Sequence, residues 1–162
     1  MRSLVALASG DMEQRRFGSY LVVRRLGKGG MASVYEAIHE PSGQRSAVKV
    51  LHQMFAQNQE VLNRFFNEAK AANAVEHPAI VCIHECGMTL SGVAYLAMEY
   101  IDGVNLHERL YHVGGILPEI TAIQITQQIA SALSAAHEKG IVHRDLKPEN
   151  VMLVLEGGRL GE

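Results

Sequence analysis

The sequence predicts an α+β fold: a five-stranded antiparallel sheet with one helix, followed by a mainly helical part. Three observations predict it. Short β-branched and aromatic runs alternate with glycine and proline turns between Tyr20 and Leu51. A run free of glycine and proline, Glu60 to Val75, carries apolar residues at helical spacing. A second helical pattern opens at Pro118, stops at Gly140 and leads into a polar block, His143 to Asn150.

The elements follow in order. Tyr20 to Leu26 reads as a first strand, and Ser33 to Ile38 as a second. Between them lies Gly27-Lys28-Gly29-Gly30-Met31-Ala32. Glu40-Pro41-Ser42-Gly43 suits a type I turn, and Ser46 to Leu51 makes a third strand. On the helix from Glu60, residues Val61, Phe65 and Ala72 share one stripe, and Glu68 falls on it. A carboxylate on a buried stripe needs a cation, and Lys49, in the apolar third strand, is the candidate. His77-Pro78 ends that helical region. Ile80 to Cys86 and Val93 to Tyr100 read as the fourth and fifth strands. Ile101-Asp102-Gly103 reads as a hinge. Asn105 is placed to cap a short helix from Leu106 to about Val113, which Gly114-Gly115 breaks. The long helix then runs from Pro118 to about Lys139.

Bulk properties narrow the function classes. The 162 residues fit one domain or two small lobes. Lysine and arginine number 15 against 17 acidic residues, a net charge of −2. That argues against a generic nucleic-acid or acidic-membrane binder, whose footprint is basic. No apolar run approaches the ~18 residues of a membrane helix, and Leu4 to Ala8 is too short for a secretory segment. Residues 1–16 are expected to be a loose leader, and the location cytoplasmic. Cys82 and Cys86 flank His84. On one strand their sulfurs would start ~13 Å apart, too far for one zinc ion. They are expected to be structural thiols of a reduced, intracellular protein.

The polar block carries the chemistry. Asp145 is a proton acceptor, since an ionised carboxylate only accepts hydrogen bonds. Lys147 is close enough to neutralise a neighbouring charge, and Asn150 offers a carbonyl oxygen suited to magnesium. Upstream, bare glycine backbone can approach a bound phosphate and point N–H groups at it.

His143-Arg144-Asp145-Leu146-Lys147-Pro148-Glu149-Asn150 resembles the catalytic loop of protein kinases. Gly27 to Val34 resembles the kinase glycine-rich loop, and Ala47-Val48-Lys49 the lysine-bearing third strand. The resemblance runs from about Phe17 to the C-terminus in the right order. It implies a protein-kinase-like fold, with residues 17–101 as the nucleotide-binding N-lobe and 102–162 as hinge and partial C-lobe. It implies ATP and Mg2+ as cofactors and a protein substrate with a serine or threonine acceptor, since the Lys-Pro-Glu filling resembles serine/threonine members. No nucleic-acid partner is implied. Asp145, Lys147 and Asn150 become the catalytic candidates, with Asn150 as metal ligand. The nucleotide contacts implied are Leu26, Gly27, Lys28, Gly29, Gly30, Met31, Ala32, Ser33, Val34, Ala47, Lys49 held by Glu68, Met98, Glu99, Ile101 and Met152. Arg144 resembles the arginine that grips a phosphorylated activation loop. The Gly-Gly-Met wording of the hairpin is similar to bacterial members.

The sequence departs from the family pattern in two places. Ala32 replaces the third glycine, so a positive φ there would be costly and the tip is expected to cover phosphates less tightly. No Asp-Phe-Gly or Ala-Pro-Glu occurs, and Val151 to Leu160 reads as the start of a hairpin. The expectation is a kinase domain cut short before its second magnesium ligand, with very slow turnover by this chain alone. Its long helix would leave apolar surface open to self-association. An inactive nucleotide-binding or scaffolding module is the other reading.

Overall fold

The computed structural model describes residues 15–154. The leader, apart from its last two residues, and the hairpin expected beyond Val154 lie outside the described residues. Contacts divide the chain into two compact units. The first holds the residues up to Ala69 together with Ile83–Tyr100. The second holds Lys70–Cys82 and the residues from Ile101 onward.

The first unit is built on a six-stranded antiparallel sheet of order β1-β2-β3-β4-β6-β5. Its strands are β1 (Arg16–Phe17), β2 (Tyr20–Lys28), β3 (Ala32–His39), β4 (Gln44–Leu51), β5 (Ile83–Met88) and β6 (Ala94–Glu99). The sheet thus has one strand more than the sequence predicts. β1 is two residues long and pairs Phe17 with Tyr20 through a tight turn at Gly18, too short a run to leave a periodic signal. β2 carries register shifts between Val22 and Arg24 and between Arg25 and Gly27, which bend it. The β3–β4 turn starts one residue earlier than predicted. Ser42 and Gly43 both donate to the His39 carbonyl, and Gly43 takes φ +69°. β5 begins at Ile83 rather than Ile80.

Alternation along the strands puts a core on each face of the sheet. On one face Phe17, Tyr20, Val22, Tyr35, Ala37, Val48, Val50, Tyr95 and Ala97 pack together. On the other, α1 (Gln59–Asn73) lays Leu62, Phe65 and Ala69 against Ala32, Leu51, Ala94 and Leu96. Asn58 starts α1: its side-chain oxygen accepts from the N–H groups of Glu60 and Val61. Burial of a residue such as Phe65 stabilises by about 1.5–3 kcal/mol. The buried stripe is therefore Leu62-Phe65-Ala69, one step round from the predicted Val61-Phe65-Ala72. Glu68 sits at its exposed rim.

The second unit contains β7 (Gly103–Asn105), α2 (Leu106–His112), α3 (Glu119–Glu138) and β8 (Met152–Val154). β7 and β8 form a two-stranded antiparallel sheet: β7 begins at Gly103, the last residue of the expected hinge, and β8 lies where the sequence reads as the start of a hairpin. A Cβ on Gly103 would lie 2.0 Å from the Leu153 carbonyl oxygen, so only glycine admits this approach. Asn105 caps α2 by accepting from the Glu108 N–H at 2.8 Å. Pro118 occupies the N-cap position of α3 without a side-chain capping bond, and α3 ends in a Schellman motif. Gly140 donates to His137 O and Ile141 to Ala136 O, both at 2.9 Å, with Gly140 at φ +72°. That motif turns the chain from α3 into the polar block.

Candidate functional site

The phosphate-facing candidates lie in the first unit. Gly27 pairs with Val34 and Lys28 with Ser33, and the Gly29 N–H donates to the Ala32 carbonyl at 2.8 Å. The hairpin is therefore tighter than the sequence predicts, with only Gly30 and Met31 at its tip. Gly27, Gly29, Gly30 and Ala32 all keep negative φ. What Gly27 and Gly30 provide is space, since a Cβ on either would meet nothing within 4 Å. Ala32 costs no backbone strain, because the hairpin asks for no positive φ there. Its methyl packs with Leu51 and Phe65 in the helix-side core.

β3 and β4 set the next group by register. Val34 lies opposite Lys49, Glu36 opposite Ala47, Ala47 opposite Met98 and Lys49 opposite Leu96. Direct cross-strand partners share a face, so Val34, Ala47, Lys49 and Met98 all point to the α1 side of the sheet. There the Lys49 ammonium meets both carboxylate oxygens of Glu68, at 2.6 and 2.9 Å. The Lys49 side chain is 26% exposed and that of Glu68 is 59% exposed. The pair is thus half in water, not buried as the stripe argument had it. It closes one side of a recess of ≈ 90 Å³ reaching to Met31, Leu51 and Phe65.

Ser33 is placed differently. It neighbours Val34, so its side chain lies on the opposite face from Lys49. It is buried, and its hydroxyl lies 2.9 Å from Nε2 of His52. Leu26, Lys28 and Met31 are exposed, and Glu99 is half-buried opposite Ser46.

The polar block lies in the second unit. Asp145 N–H donates to the His143 carbonyl at 2.8 Å, across Arg144 at φ +61°, the one non-glycine residue with positive φ among those described. This i to i+2 bond has the form of a γ-turn and holds Arg144 in a conformation that costs of order 1–3 kcal/mol. A 3-10 turn, Pro148–Asn150, follows. The Lys147 ammonium sits 3.0 and 2.9 Å from the two oxygens of Asp145. The Asn150 amide donates to the Asp145 carbonyl at 2.8 Å and to its carboxylate at 3.1 Å.

These bonds set the electrostatics. The hydrogen bond from Lys147, then that from Asn150, holds the Asp145 carboxyl below the usual carboxylate range. The same Asp145 contact pushes the Lys147 ammonium upward. Asp145 is ionised and Lys147 charged at neutral pH. Asn150 spends its amide hydrogens on Asp145. Its carbonyl oxygen has no protein partner among the described residues, which suits a hard cation. Nearby, His107 approaches Glu149 at 3.8 Å, and Leu106 donates to the Val151 carbonyl. Met152, in β8, is 41% exposed, and Ile101 is half-buried.

Cys82 precedes β5, and Cys82 and Cys86 are both exposed thiols outside any disulfide. Among the described residues no group of three or more His, Cys, Asp or Glu side chains gathers as a metal site. Nor is any helix long and apolar enough to cross a membrane.

Comparison with known proteins gives the ancestry. The family model described as "protein kinase domain" matches residues 20–160. Serine/threonine-protein kinase Pkn1 of Myxococcus xanthus is 44% identical over 143 residues, 88% of this chain and 20% of Pkn1. Serine/threonine-protein kinase PrkC of Bacillus subtilis is 38% identical over 140 residues, 86% of this chain and 21% of PrkC. The chain thus spans about a fifth of the length of these curated relatives. The crystal structure of the Mycobacterium tuberculosis PknI kinase domain superposes with a TM-score of 0.75 at 34% identity, covering 92% of this chain and 58% of that one. With a two-faced antiparallel sheet carrying a helix-held lysine, and a family match over most of its length, the chain belongs to the protein kinase family.

Proposed function

We propose that the chain serves phosphoryl transfer from Mg-ATP to a serine or threonine hydroxyl of a protein, as part of a serine/threonine kinase. The observation that carries this reading is the Lys49 ammonium held by both oxygens of Glu68. It lies on the face that also presents Val34, Ala47 and Met98. Phosphoryl transfer asks the protein mainly for positioning and charge stabilisation. In this reading residues 17–101 are the nucleotide-binding lobe and 102–162 the hinge and the start of the catalytic lobe. Lys49, fixed by Glu68, offers its charge to phosphate oxygens. The bare backbone at Gly27, Gly29 and Gly30 lets those oxygens approach.

In the second unit, Asp145 orients the acceptor hydroxyl and takes its proton at a carboxylate oxygen. Its lowered pKa suits it to orientation more than to strong base catalysis. Lys147, already paired with Asp145, balances negative charge beside the transferring group. Asn150 would hold magnesium through its carbonyl oxygen. Bound magnesium would neutralise phosphate charge. A cytoplasmic location, where ATP is present, goes with this reading. So does a protein substrate.

Calorimetric titration with Mg-ATP, run beside transfer of labelled phosphate to a protein acceptor, tests it. Lys49→Ala should weaken ATP binding about tenfold or more, and Asp145→Asn should abolish transfer while ATP still binds. Label should appear on serine or threonine. Binding without transfer in the parent chain would favour the scaffolding reading. Absence of ATP binding would end both.

A further inference from the structure

We infer that His52 is a positioning residue that latches the glycine hairpin to the lysine-bearing strand, and so sets how closely the hairpin backbone meets a nucleotide's phosphates. This rests on the nucleotide-binding reading above and adds a residue that the kinase resemblance does not supply. His52 follows the last residue of β4, three positions after Lys49. It holds the returning arm of the hairpin twice. Its backbone N–H donates to the Met31 carbonyl at 2.8 Å, and its Nε2 lies 2.9 Å from the Ser33 hydroxyl. Met31 is at the hairpin tip and Ser33 opposite Lys28, so the two bonds flank Ala32 where the chain leaves the turn.

Three features mark this as more than a surface contact. Ser33 is only 4% exposed, so a hydroxyl there needs a partner, and His52 supplies it. The latch sits at the end of the β3–β4 ladder, where pairing stops at Ala32 and Leu51, next to a two-residue tip with open space around Gly27 and Gly30. Finally, the Ser33 side chain lies on the sheet face away from Lys49, so the latch acts through backbone position, not by touching ligand. A hydroxyl both donates and accepts. The bond therefore survives with the ring neutral or protonated, and the device is a fixed clamp, not a pH switch.

The test has two arms, on His52→Ala, Ser33→Ala, the double variant, and the conservative Ser33→Thr. In the first arm, amide hydrogen exchange of the ligand-free chain is followed. Faster exchange is expected at residues 29–33 in both alanine variants and parent-like exchange in Ser33→Thr. In the second, Mg-ATP and adenosine affinities are compared. Because the latch serves the phosphates, ATP should weaken about three- to tenfold while adenosine is unchanged, and the double variant should match a single one. A merely structural His52 would lower the melting temperature and weaken both ligands alike, which would overturn the proposal. So would hairpin exchange equal to that of the parent. A parent chain that binds no ATP would instead sink the nucleotide reading, and the positioning role with it.

Discussion

The Lys49–Glu68 pair allows stability and binding to be separated by one substitution, Glu68→Gln. The pair is short on both oxygens, yet Glu68 is 59% and Lys49 26% exposed on their side chains. An ion pair so placed contributes about 0.2–1 kcal/mol after screening and side-chain entropy. For a chain of this size, 1 kcal/mol shifts the melting temperature by roughly 2–4 °C. Glu68→Gln should therefore lower it by about 4 °C at most, and less at high salt. Nucleotide binding should suffer more. A lysine carries about 2 kcal/mol of rotamer entropy, and Glu68 removes much of it before phosphate arrives. Releasing Lys49 should cost the Mg-ATP complex about 1.4 kcal/mol, tenfold in affinity. Differential scanning fluorimetry and calorimetric titration on one preparation read both. A melting temperature that collapses by 10 °C or more, with unchanged ATP affinity, would show that the pair holds up the fold and does not organise a binding site.

Three further outcomes follow from the second unit. The Asp145 carboxyl should titrate below the ordinary aspartate value of about 3.9 and move toward it in Lys147→Ala, read by carbon NMR. Because the folded pKa is the lower one, its stabilising contribution is present above about pH 4 and is lost as pH falls through the folded value, so Asp145 adds no slope to stability between pH 5 and 8. A slope in that range removed by Asp145→Asn would contradict this. Gly103→Ala should push β7 off β8, costing about 1–3 kcal/mol in a urea titration, since the new methyl would meet backbone rather than a movable side chain; an unchanged midpoint would refute the strand contact. Ile120 and Ile123 are 64% and 44% exposed along α3, so sedimentation velocity should show association that rises with concentration and fades in an Ile120→Lys, Ile123→Lys variant. A parent monomeric at every concentration would count against it.

What the sequence made legible follows one rule: features with local causes could be read, and features created by another part of the chain could not. The strands β2, β3, β4 and β6 announce themselves through β-branched residues and turn glycines. The α3 ends were readable because Pro118 and Gly140 act within one turn. The catalytic candidates were visible because eight consecutive residues carry them. By contrast, β7 is three residues with no period to detect. Its one local clue, Gly103, looks like any hinge glycine until β8 lies 2.0 Å from its missing side chain. The strained Arg144 is the exception: its turn is made locally by His143 and Asp145, yet arginine gives no hint of a positive φ.

The glycine hairpin shows how a sound rule can be applied to the wrong quantity. From sequence alone, Ala32 costs energy wherever a positive φ is required, because glycine is the residue that tolerates φ > 0. In the structure the hairpin turns without a positive φ, and alanine instead fills the helix-side core beside Leu51 and Phe65. For Glu68 the reverse holds: the pairing with Lys49 is present, but burial does not compel it. Leu62 and Ala69 occupy the stripe, and Glu68 reaches Lys49 from the rim. An ion pair that packing does not enforce has little to contribute to folding, which is consistent with the proposed role of Lys49 and Glu68 toward a charged ligand.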